Sequence, residues 1–270
     1  MQNWNIIKGL RTLFTQYLRE YYLVGGMPEA VKKFIETNDS NSVREIQNEI
    51  LRAYDRDISK HAPTEQVMRI NQVWASIPSQ LAKENKKFIY GVVKPGARAK
   101  EYELAIQWLI DAGLVYKVNR INTLGMPLKV HENIGAFKLF MLDCGLLGAM
   151  NKTPAPLLLL PNNENTNKGD FTENFVCSQM QTLRNVSINY YSKENSQLEL
   201  DFVIQLGTHI YPIEVKAEEN LQAKSLKTTL ANNPTLVGLR FSMSDYREQD
   251  RLTNVPLYGI KAYLETKKDI

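Results

Sequence analysis

Apolar residues recur at three- and four-residue intervals through the first sixty positions, and that spacing predicts helices. Residues 5–24 are apolar and aromatic, and Gly25-Gly26 breaks the run. Pro28 suits the first turn of a second helix, which carries Ala30, Val31, Phe34 and Ile35 on one face. Ser42 and Glu45 form a capping box ahead of a third, with Ile46, Ile50, Tyr54 and Ile58 one turn apart. His61 follows as a charge that complements the helix dipole. Residues 1–63 are therefore expected to be a helical, lid-like segment.

The pattern changes over 64–150. Val67, Ile70, Val73, Trp74 and Ile77 predict an amphipathic helix ending at Pro78, and 79–82 a short second one. Residues 98–112 predict a third, with Leu104, Trp108 and Leu109 on one face and Gly113 as its C-cap. Two strand-like runs follow, at 114–119 and 128–131. Three helices and a hairpin predict a winged-helix-like domain. Glu101, Glu103 and Asp111 make the third helix a poor surface for phosphate, so Lys117, Arg120 and Lys129 on the wing are the better candidates for backbone contacts with DNA.

Residues 151–169 hold three prolines and an Asn-rich tail and read as an exposed linker. From 170 to 270 a helix precedes strands at 188–191, 198–205 and 210–217. A helix over 221–230 and strands at 236–242 and 257–260 complete an α/β pattern. The chain is thus expected to be α+β and multidomain.

In this last region alternation raises a question. Glu199 and Asp201 fall on one face of their strand, opposite Leu200, Phe202 and Ile204. Glu214 and Lys216 share a face of the next. A two-residue turn at Gly207-Thr208 sets Asp201 opposite Glu214. Two carboxylates ~5 Å apart repel by roughly 3 kcal/mol at an effective dielectric of ~20. A divalent cation held by oxygen ligands would relieve that repulsion, and Lys216 alone would offset part of it. Glu173, at the border of the inward face of the preceding helix, is a third acid within reach of such a site.

Composition narrows the field only a little. Lys and Arg total 33 against 29 Asp and Glu, a net charge of +4 that tolerates nucleic acid without requiring it. The two cysteines, Cys144 and Cys177, fit no metal or disulfide framework. No apolar run approaches ~20 residues, so a cytoplasmic protein without a membrane partner is expected. No glycine is followed by lysine, which excludes the phosphate-binding loop of P-loop ATPases.

Glu173 on a helix, Asp201 on a strand and Glu214-x-Lys216 on the next resemble the PD-(D/E)xK nuclease core of restriction endonucleases and archaeal Holliday-junction resolvases. Leu200-Asp201 stands where that motif has Pro-Asp. More of the chain is similar to the C-terminal region of a group of prokaryotic AAA-family ATPases. YLVGGMPEAV (22–31), AYDRDISKHA (53–62), IPSQLAKENKKF (77–88), FKLFMLDCGLL (137–147), KGDFTENFV (168–176), ELDFVI (199–204) and PIEVKA (212–217) carry that likeness. The resemblance implies a restriction-endonuclease-like C-terminal domain that follows an ATPase domain lying outside this sequence. It implies Mg²⁺ held by Asp201 and Glu214, with Glu173 as a further acid, and Lys216 orienting water for phosphodiester hydrolysis. A non-catalytic module that binds DNA or protein, or that regulates the ATPase, is the alternative.

Overall fold

The computed structural model describes residues 4–159, 168–193, 198–219 and 222–267. The N-terminal helices are α1 (Trp4–Gly9), α2 (Arg11–Val24), α3 (Pro28–Thr37) and α4 (Ser40–His61). Helix α4 starts one turn before the expected capping box. Its cap is Asp39, whose two carboxylate oxygens accept from the Asn41 and Ser42 amides at 3.0 Å each. Helix α5 (Thr64–Leu81) runs through Pro78, at the cost of the bond that an amide there would donate to the Trp74 carbonyl. The separate helix expected at 79–82 is absorbed into α5, and the short second helix is α6 (Tyr90–Val93).

Helix α7 (Ala99–Asp111) leads into β1 (Val115–Ile121). Residues Leu128–His131, expected as a strand, form a 3-10 turn, and β2 (Glu132–Met141) follows. The reason is local. Pro127 has no amide to donate, and the Leu128 amide donates to Gln205 Oε1 at 2.9 Å rather than to a ladder. Next come α8 (Cys144–Met150), α9 (Ala155–Leu159) and α10 (Lys168–Gln181). Helix α9 lies inside the expected linker, with Leu158 buried; the rest of that linker, 160–167, is outside the described residues.

The remaining elements are β3 (Val186–Ser192), β4 (Glu199–Leu206), β5 (His209–Val215), α11 (Lys224–Asn232), β6 (Gly238–Ser242), β7 (Arg247–Gln249), β8 (Leu252–Pro256) and α12 (Ile260–Glu265). The predicted helix over 221–230 begins at Lys224; residue 221 is outside the described residues. A strand expected at 257–260 is instead a 3-10 turn running into α12, while the strand lies just before it. Leu257, Ile260, Tyr263 and Leu264 are buried at helical spacing, so the helix satisfies them where a strand would expose half.

The chain divides into two compact units, each assembled from separate segments. One comprises Arg19–Lys117 and Lys138–Asn174, the other Met1–Leu18, Val118–Phe137 and Phe175–Ile270. The boundaries expected from sequence fall at 63, 150 and 169. In the first unit Val43, Ile58, Ile70, Val73, Trp74, Ile77 and Leu109 are buried, each contributing ~1.5–3 kcal/mol by leaving water. The second is organised by a mixed sheet of eight strands, in the order β2-β1-β3-β4-β5-β6-β8-β7. Pairs β3–β4 and β4–β5 are antiparallel, whereas β1–β3, β5–β6 and β6–β8 are parallel. Leu226 and Leu230 of α11 close over Leu200, Val203 and Ile210 of the central hairpin. Among the described residues no helix is long and apolar enough to cross a membrane.

Candidate functional site

The β4–β5 hairpin turns at Gly207, whose φ of +54° is a conformation that other residues adopt only with strain. Leu206 pairs with His209, and the ladder runs back through Gln205↔Ile210, Ile204↔Tyr211 and Val203↔Pro212 to Phe202↔Ile213. This is the register expected from the alternation of apolar residues. Continued one step, it sets Asp201 opposite Glu214.

At that step the ladder gives way. On the β3 side, Asn189 pairs with Val203 but Tyr191 with Leu200, so two steps on β3 match three on β4. The extra residue makes a bulge at Asp201-Phe202. Alternation is broken there, and Leu200 and Val203 pack into the same apolar cluster although simple counting puts them on opposite faces. Asp201 Oδ2 accepts from the Val215 amide at 2.6 Å, a length typical of a charge-assisted bond. The carboxylate takes the place of a backbone acceptor that the bulge has displaced.

Glu214 is buried, and its Oε1 lies 2.7 Å from Lys216 Nζ, whose side chain is 29% exposed. Glu214 is also in register with Arg240 of β6. Arg240 is fully buried and donates through Nε to Asn254 Oδ1 at 2.9 Å. Ser242 donates to the same oxygen at 2.8 Å, and Asn254 Nδ2 holds the Ser244 and Asp245 carbonyls. Burial weakens the hold of the Arg240 guanidinium on its proton, as does Arg247, while Glu214 opposes both. The repulsion expected between two acids is thus met by Lys216 and Arg240. Sequence reasoning passed over Arg240, although a lone arginine between Leu239 and Phe241 on a fully buried strand was the signal available.

Glu173 belongs to the other unit. Its Oε1 accepts from Lys86 Nζ at 2.8 Å, and Asp170 Oδ1 lies 4.0 Å from the same ammonium. All three residues are buried. Lys86 reaches this position from a left-handed backbone, with φ of +50°. One cation serves two acids, and burial raises the Asp170 carboxyl to about 7, against the pull of Lys86 and with a further push from Glu173. The folded state therefore keeps the Asp170 proton over a range where the unfolded chain, with an ordinary value near 3.8, has released it. Stability should fall as pH rises from about 4 to about 7 and level off above. Asp170→Asn should flatten that part of the curve, which urea melts of both proteins across pH 4–8 would read.

Mg²⁺ does not fit these side chains as they stand. Asp201 is engaged by a backbone amide, Glu214 by Lys216 and Glu173 by Lys86. Among the described residues, no three His, Cys, Asp or Glu side chains are grouped so as to hold a metal ion.

A family model described as Domain of unknown function (DUF8612) matches residues 15–157. A second, Domain of unknown function (DUF4143), matches residues 168–260, and that domain is found C-terminal to AAA-type ATPase domains in prokaryotes. No curated protein matches the chain. Among solved structures it is similar to the crystal structure of protein VC1899 from Vibrio cholerae, at 14% identity and a TM-score of 0.30 over 80% of this chain. The chain spans 56% of that protein.

Proposed function

We propose that this chain, which belongs to the family described as Domain of unknown function (DUF8612), is a non-catalytic regulatory module of an AAA-type ATPase. Asp201, Glu214 and Lys216 serve the sheet that carries them, and Glu173 serves a buried ion pair with Lys86. The observation that carries this is the 2.6 Å bond from the Val215 amide to Asp201, beside the Glu214–Lys216 pair. One oxygen of each carboxylate is already held by a partner within the sheet. Such a core would act by docking, holding a rigid face against the ATPase.

A nuclease role is the second possibility, favoured by the register that brings Asp201 and Glu214 to adjacent strands. Thermal melts of wild type and Asp201→Asn, with and without Mg²⁺, separate the two. If the carboxylate is structural, the variant melts earlier in metal-free buffer, by the ~1–3 kcal/mol lost with a charge-assisted bond, and Mg²⁺ shifts neither protein. If it is a metal ligand, relief of repulsion leaves the metal-free variant as stable as wild type or more so, and Mg²⁺ raises the melting temperature of wild type alone.

A further inference from the structure

We propose that the exposed turn at residues 94–100, leading into α7, contacts the phosphodiester backbone of a nucleic acid without reading its sequence. The hairpin has no part in this, so its role and the role of this turn stand or fall separately. Between Glu84 and Glu101 the chain carries five basic residues, Lys86, Lys87, Lys94, Arg98 and Lys100, and no acid. Lys86 is consumed by Glu173; the other four are exposed. Lys94, Arg98 and Lys100 have no ion-pair partner among the described residues. The wing residues that the sequence favoured are differently placed. Lys129 pairs with Glu132 at 3.0 Å, and Lys117 and Arg120 also have interactions within the protein.

Geometry concentrates the free charge. The Ala97 amide donates to the Lys94 carbonyl at 3.0 Å, closing a tight turn, and α7 begins two residues later. Gly96 has φ of +77°, and a side chain placed there would meet nothing within 4 Å, so the backbone is open to close approach. Of the acids that made α7 look unsuitable, one is fixed as a helix cap and one is distant. Glu101 Oε2 accepts from the Arg98 amide at 2.7 Å and caps the helix. Asp111 accepts from Gln107 at 2.7 Å, about 17 Å along the axis from Lys100 by helical rise, beyond a Debye length at physiological salt. Glu101 and Glu103 are both exposed within one turn of Lys100, against the three cations Lys94, Arg98 and Lys100.

The chemistry of the turn selects the partner. Residues 94–100, KPGARAK, offer no large apolar side chain. A protein interface needs buried aromatic or aliphatic anchors, and a membrane-bound segment needs an apolar face to insert. Contacts to nucleic-acid phosphates need neither, because released counterions drive them.

Fluorescence anisotropy of the full chain with a labelled duplex DNA tests this, with duplex RNA and poly-glutamate as comparison probes. Both duplexes should bind at about 50 mM salt, and the affinity should fall steeply as salt rises. K94Q/R98Q/K100Q should weaken binding at least ~10-fold and flatten the log–log salt slope by nearly three, at ~0.9 per phosphate contact. Its melting temperature should be unchanged, because Glu101 still caps α7. Glu103→Gln should tighten binding, and Lys129→Gln should leave it within about twofold. The proposal fails if wild type does not bind either duplex at low salt, if the triple variant binds as wild type does, or if poly-glutamate binds while the duplexes do not.

Discussion

Lys86→Met should lower the unfolding free energy at neutral pH by about 3–5 kcal/mol, the cost typical of stripping one partner from a buried ion pair. Methionine fills much of the same volume, so the loss is electrostatic. Glu173 Oε1 loses its 2.8 Å bond, and Asp170 loses the ammonium 4.0 Å from its Oδ1. Glu173 Oε2 and Asp170 Oδ1 have no hydrogen-bond partner even with the lysine present. Two features distinguish this from lost packing. The deficit should shrink as pH falls toward 4, because protonation neutralises the Asp170 carboxyl, already raised to about 7 by burial. Glu173→Gln in the same chain should also recover part of it, which a double-mutant cycle by urea melts would measure. An equal deficit at pH 4 and pH 7, with no recovery in the double variant, would assign the loss to packing.

The second large effect is expected at Asp143. This buried carboxylate caps α8 through the Leu146 amide at 2.8 Å and accepts from the Gly26 amide at 2.7 Å. Gly25 has φ of +74°, and a Cβ there would come within 2.2 Å of Asp143 Oδ1, so Gly25-Gly26 is what lets the two segments meet. Asp143→Ala removes the cap and strands a buried amide, for about 2–4 kcal/mol in total. Asp143→Asn should recover only part of this. Asparagine keeps one acceptor oxygen, enough for either the Leu146 or the Gly26 amide, and turns an N–H toward the other. Chemical melts of both variants provide the check, and an asparagine variant as stable as wild type would show that a single acceptor suffices.

What could be read from sequence follows the range over which each feature is determined. The hairpin register was legible because alternating apolar residues and Gly207 lie within twenty positions of one another. The bulge at Asp201-Phe202 was not, since it arises from pairing with β3, which nothing in the β4 residues themselves encodes. Glu173 was placed correctly on a helix, but its partner Lys86 is 87 positions away. Helix α10 also hides its polar residues. Thr172 and Asn174 are fully buried, and Asn174 satisfies the Met141 amide and carbonyl at 2.7 and 3.1 Å, so hydropathy alone misjudges which sides face inward. The strand Leu252–Pro256 was missed for the same reason. Its Asn254 reads as polar and exposed, yet it is buried because it serves Arg240 and Ser242.

Asp201 and Glu214 answer either to the sheet or to a cation. Calorimetric titration of Mg²⁺, and separately Mn²⁺, into the wild-type chain addresses this most directly. The structure has Asp201 on the Val215 amide and Glu214 on Lys216, so no saturable heat is expected at millimolar metal beyond dilution, and Asp201→Asn should give the same trace. A stoichiometric binding isotherm in wild type that disappears in Asp201→Asn would contradict the account and return the hairpin to metal-dependent chemistry.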